Sequence, residues 1–167
     1  MTRRNLLLLL LTLILALPIL AARAGCGTWS APDIKGEHFK ITDHLGGSPI
    51  VLVFWATWCA PCKKEMDDQR PLFEGLIKQG VNVIFVAEDD SKSQSKVKPY
   101  IESKGYAWPV LLDPDREILK RYGGTGPIPY TVVLDREGNV HSKLRGAIKD
   151  ADKFRSQVLK LMEKSGQ

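Results

Sequence analysis

Residues 50–55 read Ile-Val-Leu-Val-Phe-Trp, six apolar residues in a row with no polar residue among them. A strand with one wet face alternates polar and apolar side chains; one buried on both faces does not. This run therefore demands a sheet covered on both sides. Residues 81–87, 108–112 and 130–134 repeat the pattern. Between these strands the apolar spacing turns helical. Over 60–79, Cys62, Met66, Phe73, Leu76 and Ile77 recur so as to face a core, with a break expected at Pro71 and a stop at Gly80. Residues 91–104 read as a more polar helix broken near Pro99, and 115–122 as a short one closed by Gly123-Gly124. Asp135-Arg136-Glu137-Gly138-Asn139 is a hairpin turn into a strand at 140–144. A last helix at 150–164 presents Phe154, Val158, Leu159 and Met162 on one face. His38-Phe39-Lys40-Ile41 alternates as a short strand, after a small, polar, extended lead-in. Trp55, Trp108, Phe73 and Phe85 read as core. The fold class is α/β: a central mixed sheet flanked by helices, parallel through the crossovers and antiparallel at the last hairpin.

The first residues belong to something else. Arg3 and Arg4 precede an apolar stretch at 6–22, and Ala22-Arg23-Ala24 reads as a small-residue cleavage site. That is the layout of a secretory signal peptide. An uncleaved anchor stays open, because the stretch lies at the lower edge of the ~17–25 residues that span a bilayer. A lipoprotein stays open through Cys26, although Arg23 stands where a lipobox has an aliphatic residue. The domain expectation is a leader at 1–24 and one working domain at 25–167, in a periplasmic or extracytoplasmic setting. The formal net charge of +5 overstates how basic that domain is: three of the 24 basic residues, Arg3, Arg4 and Arg23, fall in the leader and none of the 19 acidic ones does. No basic stripe with interleaved aromatics appears, so nucleic acid is not an expected partner.

The chemistry sits in Phe54-Trp55-Ala56-Thr57-Trp58-Cys59-Ala60-Pro61-Cys62-Lys63-Lys64-Glu65. Cys59 falls at the cap of the helix that follows the apolar strand, where free backbone N–H groups and the helix dipole favour an anion. A thiolate there has a lowered pKa and is the nucleophile. Pro61 suits the first turn because its missing N–H is not needed. Cys62 lies on the same side and faces inward. The reading is an exposed attacker, Cys59, and a buried resolver, Cys62, with positive charge added by Lys63 and Lys64. A structural zinc site wants four ligands, and His38, His44 and His141 are scattered. A copper relay using the pair with His141 competes with dithiol chemistry, and so does a purely structural disulfide, although a bridge over three residues constrains the unfolded chain little. Glu65 is on these grounds either a solvated helix charge, like Asp67 and Asp68, or a working acid. Glu88-Asp89-Asp90 reads as a solvated loop at a strand end, or else as a border of the substrate face.

Trp58-Cys59-Ala60-Pro61-Cys62 after Val51-Leu52-Val53-Phe54-Trp55-Ala56-Thr57 resembles the thioredoxin superfamily, and more closely its exported TlpA/ResA branch. Gly126-Pro127-Ile128-Pro129-Tyr130-Thr131-Val132-Val133-Leu134-Asp135 resembles that family's cis-proline strand. The resemblance implies a thioredoxin-like fold, a redox-active Cys59–Cys62 disulfide and thiol–disulfide exchange with no cofactor and no metal. It implies a cis Ile128–Pro129 bond packed on the cysteines, with Trp58, Pro61, Ile128 and Pro129 bordering the bound client. It favours Glu65 as the acid that serves Cys62, since the strand position that carries an acid in thioredoxin is Val53 here. Tyr130 departs from the small residue usual after that proline, and a ring beside the groove would alter which partners fit. The expected partners are disulfides of exported client proteins and a membrane electron donor, and the protein is expected to be monomeric. Clients in cytochrome c or copper-site maturation and general periplasmic disulfides remain open. Copper delivery and thiol peroxidase activity are the competing functions.

Overall fold

The computed structural model describes residues 27–163. The leader, Cys26 and the last four residues lie outside the described residues. The lead-in forms β1 (Ser30–Pro32), which pairs antiparallel with β2 (His38–Lys40) in a small two-stranded sheet. The main sheet holds β3 (Ile50–Trp55), β4 (Asn82–Ala87), β5 (Val110–Leu112), β6 (Tyr130–Leu134) and β7 (Val140–Arg145) in the order β5-β4-β3-β6-β7. β3 runs parallel to β4, and β4 to β5; β6 is antiparallel to β3 and to β7. The helices are α1 (Ala60–Asp68), α2 (Arg70–Lys78), α3 (Val97–Lys104), α4 (Glu117–Arg121) and α5 (Ala151–Glu163). No helix among the described residues is long and apolar enough to cross a membrane.

The unbroken apolar runs take the places such runs must take. Every residue of β3 and β6 is buried. β7, at the sheet edge, leaves nearly all of its residues exposed. An aromatic cluster fills one side of the sheet: Phe85 stacks on Trp108 at 4.4 Å, Trp108 on Tyr106 at 4.2 Å, and Phe73 meets Phe85 edge-on at 5.1 Å.

Several expectations are corrected. The break expected at Pro71 falls instead at Gln69, where two helices meet; its carboxamide donates to the Ile148 carbonyl. Pro71 therefore lies in the first turn of α2, where no N–H is needed. Pro99 likewise sits in the first turn of α3 and breaks nothing; the irregular turn at Gln94–Lys96 precedes it. Ile77 is 37% exposed and lies off the core face defined by Leu72, Phe73 and Leu76. On α5 the buried stripe is Phe154, Val158 and Leu161; Leu159 and Met162 flank it. The terminal helix thus packs one step round from the face expected.

Gly124, at the end of the loop after α4, has no room for a side chain. A Cβ there would overlap Leu119 Cδ1, lie 2.6 Å from its Cγ and 3.1 Å from its carbonyl oxygen, and Leu119 is buried. Gly47 has nothing within 4 Å of the same position. Gly124→Ala is expected to lower stability to urea by ~1–3 kcal/mol, the range for overpacking. Gly47→Ala is expected to stay within about 0.5 kcal/mol of the parent; equal midpoints for the two variants would contradict the packing.

Candidate functional site

β3 ends at Trp55 and the chain turns through Ala56-Thr57-Trp58 before α1 begins. Cys59 is the N-cap residue of α1: its backbone is extended (φ −87°, ψ 96°) and its sulfur lies 3.3 Å from the N–H of Cys62, which points at it. Its own N–H donates to the Ala56 carbonyl. Cys59 and Cys62 form a disulfide, with Cα atoms 5.3 Å apart. Pro61 occupies the first turn.

The expectation of an exposed Cys59 needs correction. In this oxidised form Cys59 is 5% exposed and Cys62 is fully buried. The cover over Cys59 is the turn before β6. The Ile128–Pro129 peptide is cis, and the Ile128 carbonyl oxygen sits 3.7 Å from Cys59 Sγ. Trp58, 61% exposed, is the accessible apolar surface next to the pair. The two lysines after the motif are turned elsewhere: Lys64 pairs with Asp68 at 2.7 Å, and Lys63 lies over the Tyr100 ring. The positive field at Cys59 thus falls to the helix terminus.

Glu65 is not a solvated charge. It is 3% exposed on the inward face of α1, one turn beyond Cys62. One carboxyl oxygen accepts the Ile148 N–H at 2.6 Å; the other has no hydrogen-bond partner among the described residues. Burial pushes its pKa up to about 7, against the pull of the Ile148 hydrogen bond. Val53 is buried in β3, so no acid serves the pair from that strand position.

The acids after β4 do not form the solvated loop expected of them; only Asp90 is exposed. The Glu88 N–H continues the ladder to the Trp55 carbonyl at 2.8 Å. Asp89, 1% exposed, accepts the Thr57 N–H at 2.8 Å and the Thr57 hydroxyl. It thereby clamps the turn that delivers Cys59. Glu88, 3% exposed, is pushed up to about 8 by burial and by the neighbouring Asp113 carboxylate, against Arg116. A signal for these two was present in the sequence: they follow a strand expected to run parallel to the cysteine-bearing one, and ligand sites of parallel sheets gather at such C-terminal ends. Tyr130 is corrected as well. Its ring points into the core, 5.9 Å from Phe54 and 1% exposed, with its hydroxyl donating to the Tyr122 carbonyl at 3.0 Å. It does not line a groove.

A thioredoxin-like sheet, with a Cys-x-x-Cys disulfide capping the helix after its central strand and a cis-proline turn laid over it, defines a class: the thiol–disulfide oxidoreductases. Within it the chain belongs to the AhpC/TSA family, whose model matches residues 26–143. Thiol-disulfide oxidoreductase ResA of Geobacillus thermodenitrificans (strain NG80-2) is 32% identical over 120 residues, which is 72% of this chain and 67% of that protein. ResA of Bacillus subtilis (strain 168) is 34% identical over 119 residues, 71% of this chain and 64% of that one. The chain thus spans about two thirds of the length of these relatives. The crystal structure of StoA from Bacillus subtilis shares the fold with a TM-score of 0.64 at 24% identity, covering 80% of this chain and 97% of that one.

The raised pKa of Glu65 has a consequence for stability. An unfolded glutamate ionises near 4.5, the folded one near 7. Between these values the unfolded chain has released the proton and the folded protein still holds it. The contribution of Glu65 to stability is therefore full below about pH 4.5 and is lost as pH rises toward 7. Glu65→Gln is expected to flatten that fall, relative to the parent, by up to about 3 kcal/mol across the window. Urea unfolding of the oxidised protein at pH 4.5, 5.5 and 7 checks it; parallel pH profiles for the two proteins would contradict it.

Proposed function

We propose that this protein reduces disulfides of exported client proteins, with Cys59 as the attacking thiolate and Cys62 as the resolving thiol. The observation that carries the reading is the Cys59–Cys62 disulfide at the α1 cap, lying against the cis Ile128–Pro129 turn with buried Glu65 one turn on. In the reduced protein, Cys59 thiolate attacks one sulfur of the client disulfide. A mixed disulfide forms and the other client sulfur leaves as a thiolate. Cys62 gives its proton to the Glu65 carboxylate and attacks the Cys59 sulfur. The client leaves with both its sulfurs reduced, and the Cys59–Cys62 disulfide remains. Two electrons and two protons from a dithiol donor at the membrane then restore the thiols. Glu65, with a pKa near neutral, passes the Cys62 proton in either direction. The client chain lies along the backbone of Ile128 and Pro129, between the exposed face of Trp58 and Pro61.

Residues 1–24 serve as an export signal or anchor and the remainder as the working domain, a reading supported by the basic-apolar-small pattern of the leader. In an oxidising compartment a reductant must be fed from elsewhere, which is why a membrane donor belongs to the scheme. Disulfides of apocytochrome c, of copper-site assembly proteins and of exported proteins in general are the client types that fit such a reductant. Cys26 stands outside the cycle.

Four measurements test the reading. Alkylation of the reduced protein near neutral pH is expected to label Cys59 before Cys62; the reverse order overturns the assignment. Cys62→Ala is expected to hold clients as mixed disulfides on Cys59, and Glu65→Gln to slow resolution by on the order of 100-fold near neutral pH. Equilibration with glutathione is expected to give a reducing potential, and one near the oxidising end of this fold, ~−120 mV, would sink the direction of electron flow.

A further inference from the structure

Glu88 is a buried carboxyl group that the exchange scheme leaves without a task. It stands at the C-terminal end of β4, beside Asp89, which already fixes the turn leading to Cys59. One Glu88 oxygen accepts Arg116 Nε at 3.2 Å, and the other has no hydrogen-bond partner among the described residues. The Glu88 side chain is wholly buried, while that of Arg116 is 39% exposed. Arg116 then reaches the other way: a terminal guanidinium nitrogen donates to the Gly126 carbonyl at 3.2 Å. Gly126 opens the short turn that ends in cis-Pro129, and Ile128 in that turn contacts the Cys59 sulfur. Among the described residues Arg116 is also the one non-glycine residue with positive φ, 58°. A left-handed arginine at the start of a five-residue helix is costly unless its surroundings demand it. Asp113 fixes that helix start, accepting the N–H groups of Glu117 and Leu119 at 2.9 and 3.0 Å. The guanidinium is thus held at both ends, by a buried carboxyl oxygen and by the loop.

We infer that Glu88 and Arg116 are positioning residues for the client: they hold the 126–129 turn so that its backbone meets an incoming peptide chain in register with Cys59. The two adjacent acids at the end of β4 then fix the two walls of the site. Asp89 sets the cysteine turn directly, and Glu88 sets the cis-proline turn through Arg116. This rests on the exchange reading above, and the experiment separates the two. A peptide disulfide needs the turn's backbone; an aromatic small-molecule disulfide needs only the Cys59 thiolate.

The reduced protein is assayed with a disulfide-bonded peptide and with such a small-molecule disulfide. Arg116→Gly keeps the left-handed turn, which glycine adopts freely, and removes the guanidinium. It is expected to raise KM for the peptide about tenfold, the loss of one charge-assisted hydrogen bond. Its kcat and its rate with the small disulfide stay at parent values. Arg116→Lys, whose single ammonium cannot span both acceptors, is expected to do the same. Glu88→Leu is expected to act alike, and the double variant Glu88→Leu/Arg116→Gly to be no worse than either single one. An unchanged peptide KM in Arg116→Gly overturns the inference. So does an equal fall with both disulfides, or a loss of folded protein in both Arg116 variants, since either would give the pair a purely structural role. Failure of the parent to react with either disulfide would instead defeat the exchange reading.

Discussion

Everything at this site hangs on the register of three strands. β3 lies in the middle of the sheet, pairing Trp55 with Ala87 of β4 in parallel and Phe54 with Tyr130 of β6 in antiparallel. A parallel neighbour ends where β3 ends; an antiparallel neighbour begins there. The C-terminal ends of β3 and β4 and the N-terminal end of β6 therefore meet at one edge. That edge receives Cys59 from β3, Glu88 and Asp89 from β4, and cis-Pro129 from the approach to β6. A one-residue slip of β6 would exchange its two buried faces, and would move Ile128 away from the sulfur. Close packing on both faces of β6 opposes the slip.

Within that frame the acids divide by how their charge is met. Asp89 receives two hydrogen bonds from Thr57, so its burial costs little and the result is a rigid turn. Glu65 receives one hydrogen bond and keeps an unmet oxygen; burial outweighs it, and the acid holds its proton up to neutral pH. Glu88 faces both Asp113 and Arg116 and ends on the same side of neutrality. A buried carboxyl with a free lone pair and no cation beside it, as at Glu65, is a poor brace and a good proton carrier. The environments of Asp89 and Glu65 suit them to opposite tasks, although neither looks different from a surface acid in the sequence.

The strands were legible because burial on both faces leaves a one-dimensional mark. β3 and β6 stand at their expected bounds, and the cap position of Cys59 follows from where β3 stops. Features set by distant partners were not legible. β1 exists through its pairing with β2, and its Ser-Ala-Pro carries no strand pattern of its own. The burial of Glu88 and Asp89 depends on Thr57 and Arg116: Asp89 meets Thr57 across 32 residues of chain, and Glu88 meets Arg116 across 28. The inward turn of Tyr130 depends on a carbonyl, that of Tyr122, in the loop after α4. Helix faces shifted for the same reason: Leu161 rather than Leu159 is buried on α5 because packing selects among residues that periodicity alone leaves equivalent. Glu65 was settled by Ile148, 83 residues along the chain, and no local pattern announces such a contact.

The burial of Cys59 in the disulfide bears on how exchange is timed. With the turn before β6 over its sulfur, the oxidised pair presents little sulfur surface, and the exposed ring of Trp58 marks the approach. In the proposed scheme, reduction breaks the bond to Cys62 and leaves Cys59 as a cap thiolate, stabilised by the N–H groups of the first turn. Cys62 stays in an apolar setting where a second thiolate would be costly. On that scheme the reduced pair carries one negative charge, on the sulfur at the helix cap. The second proton can leave only when Cys62 attacks the mixed disulfide, and the only acid among the described residues of α1 that is buried is Glu65. On the proposed scheme, helix cap and buried carboxyl separate in time two deprotonations that a symmetric pair of thiols would make together, and that order would give the dithiol a direction of attack.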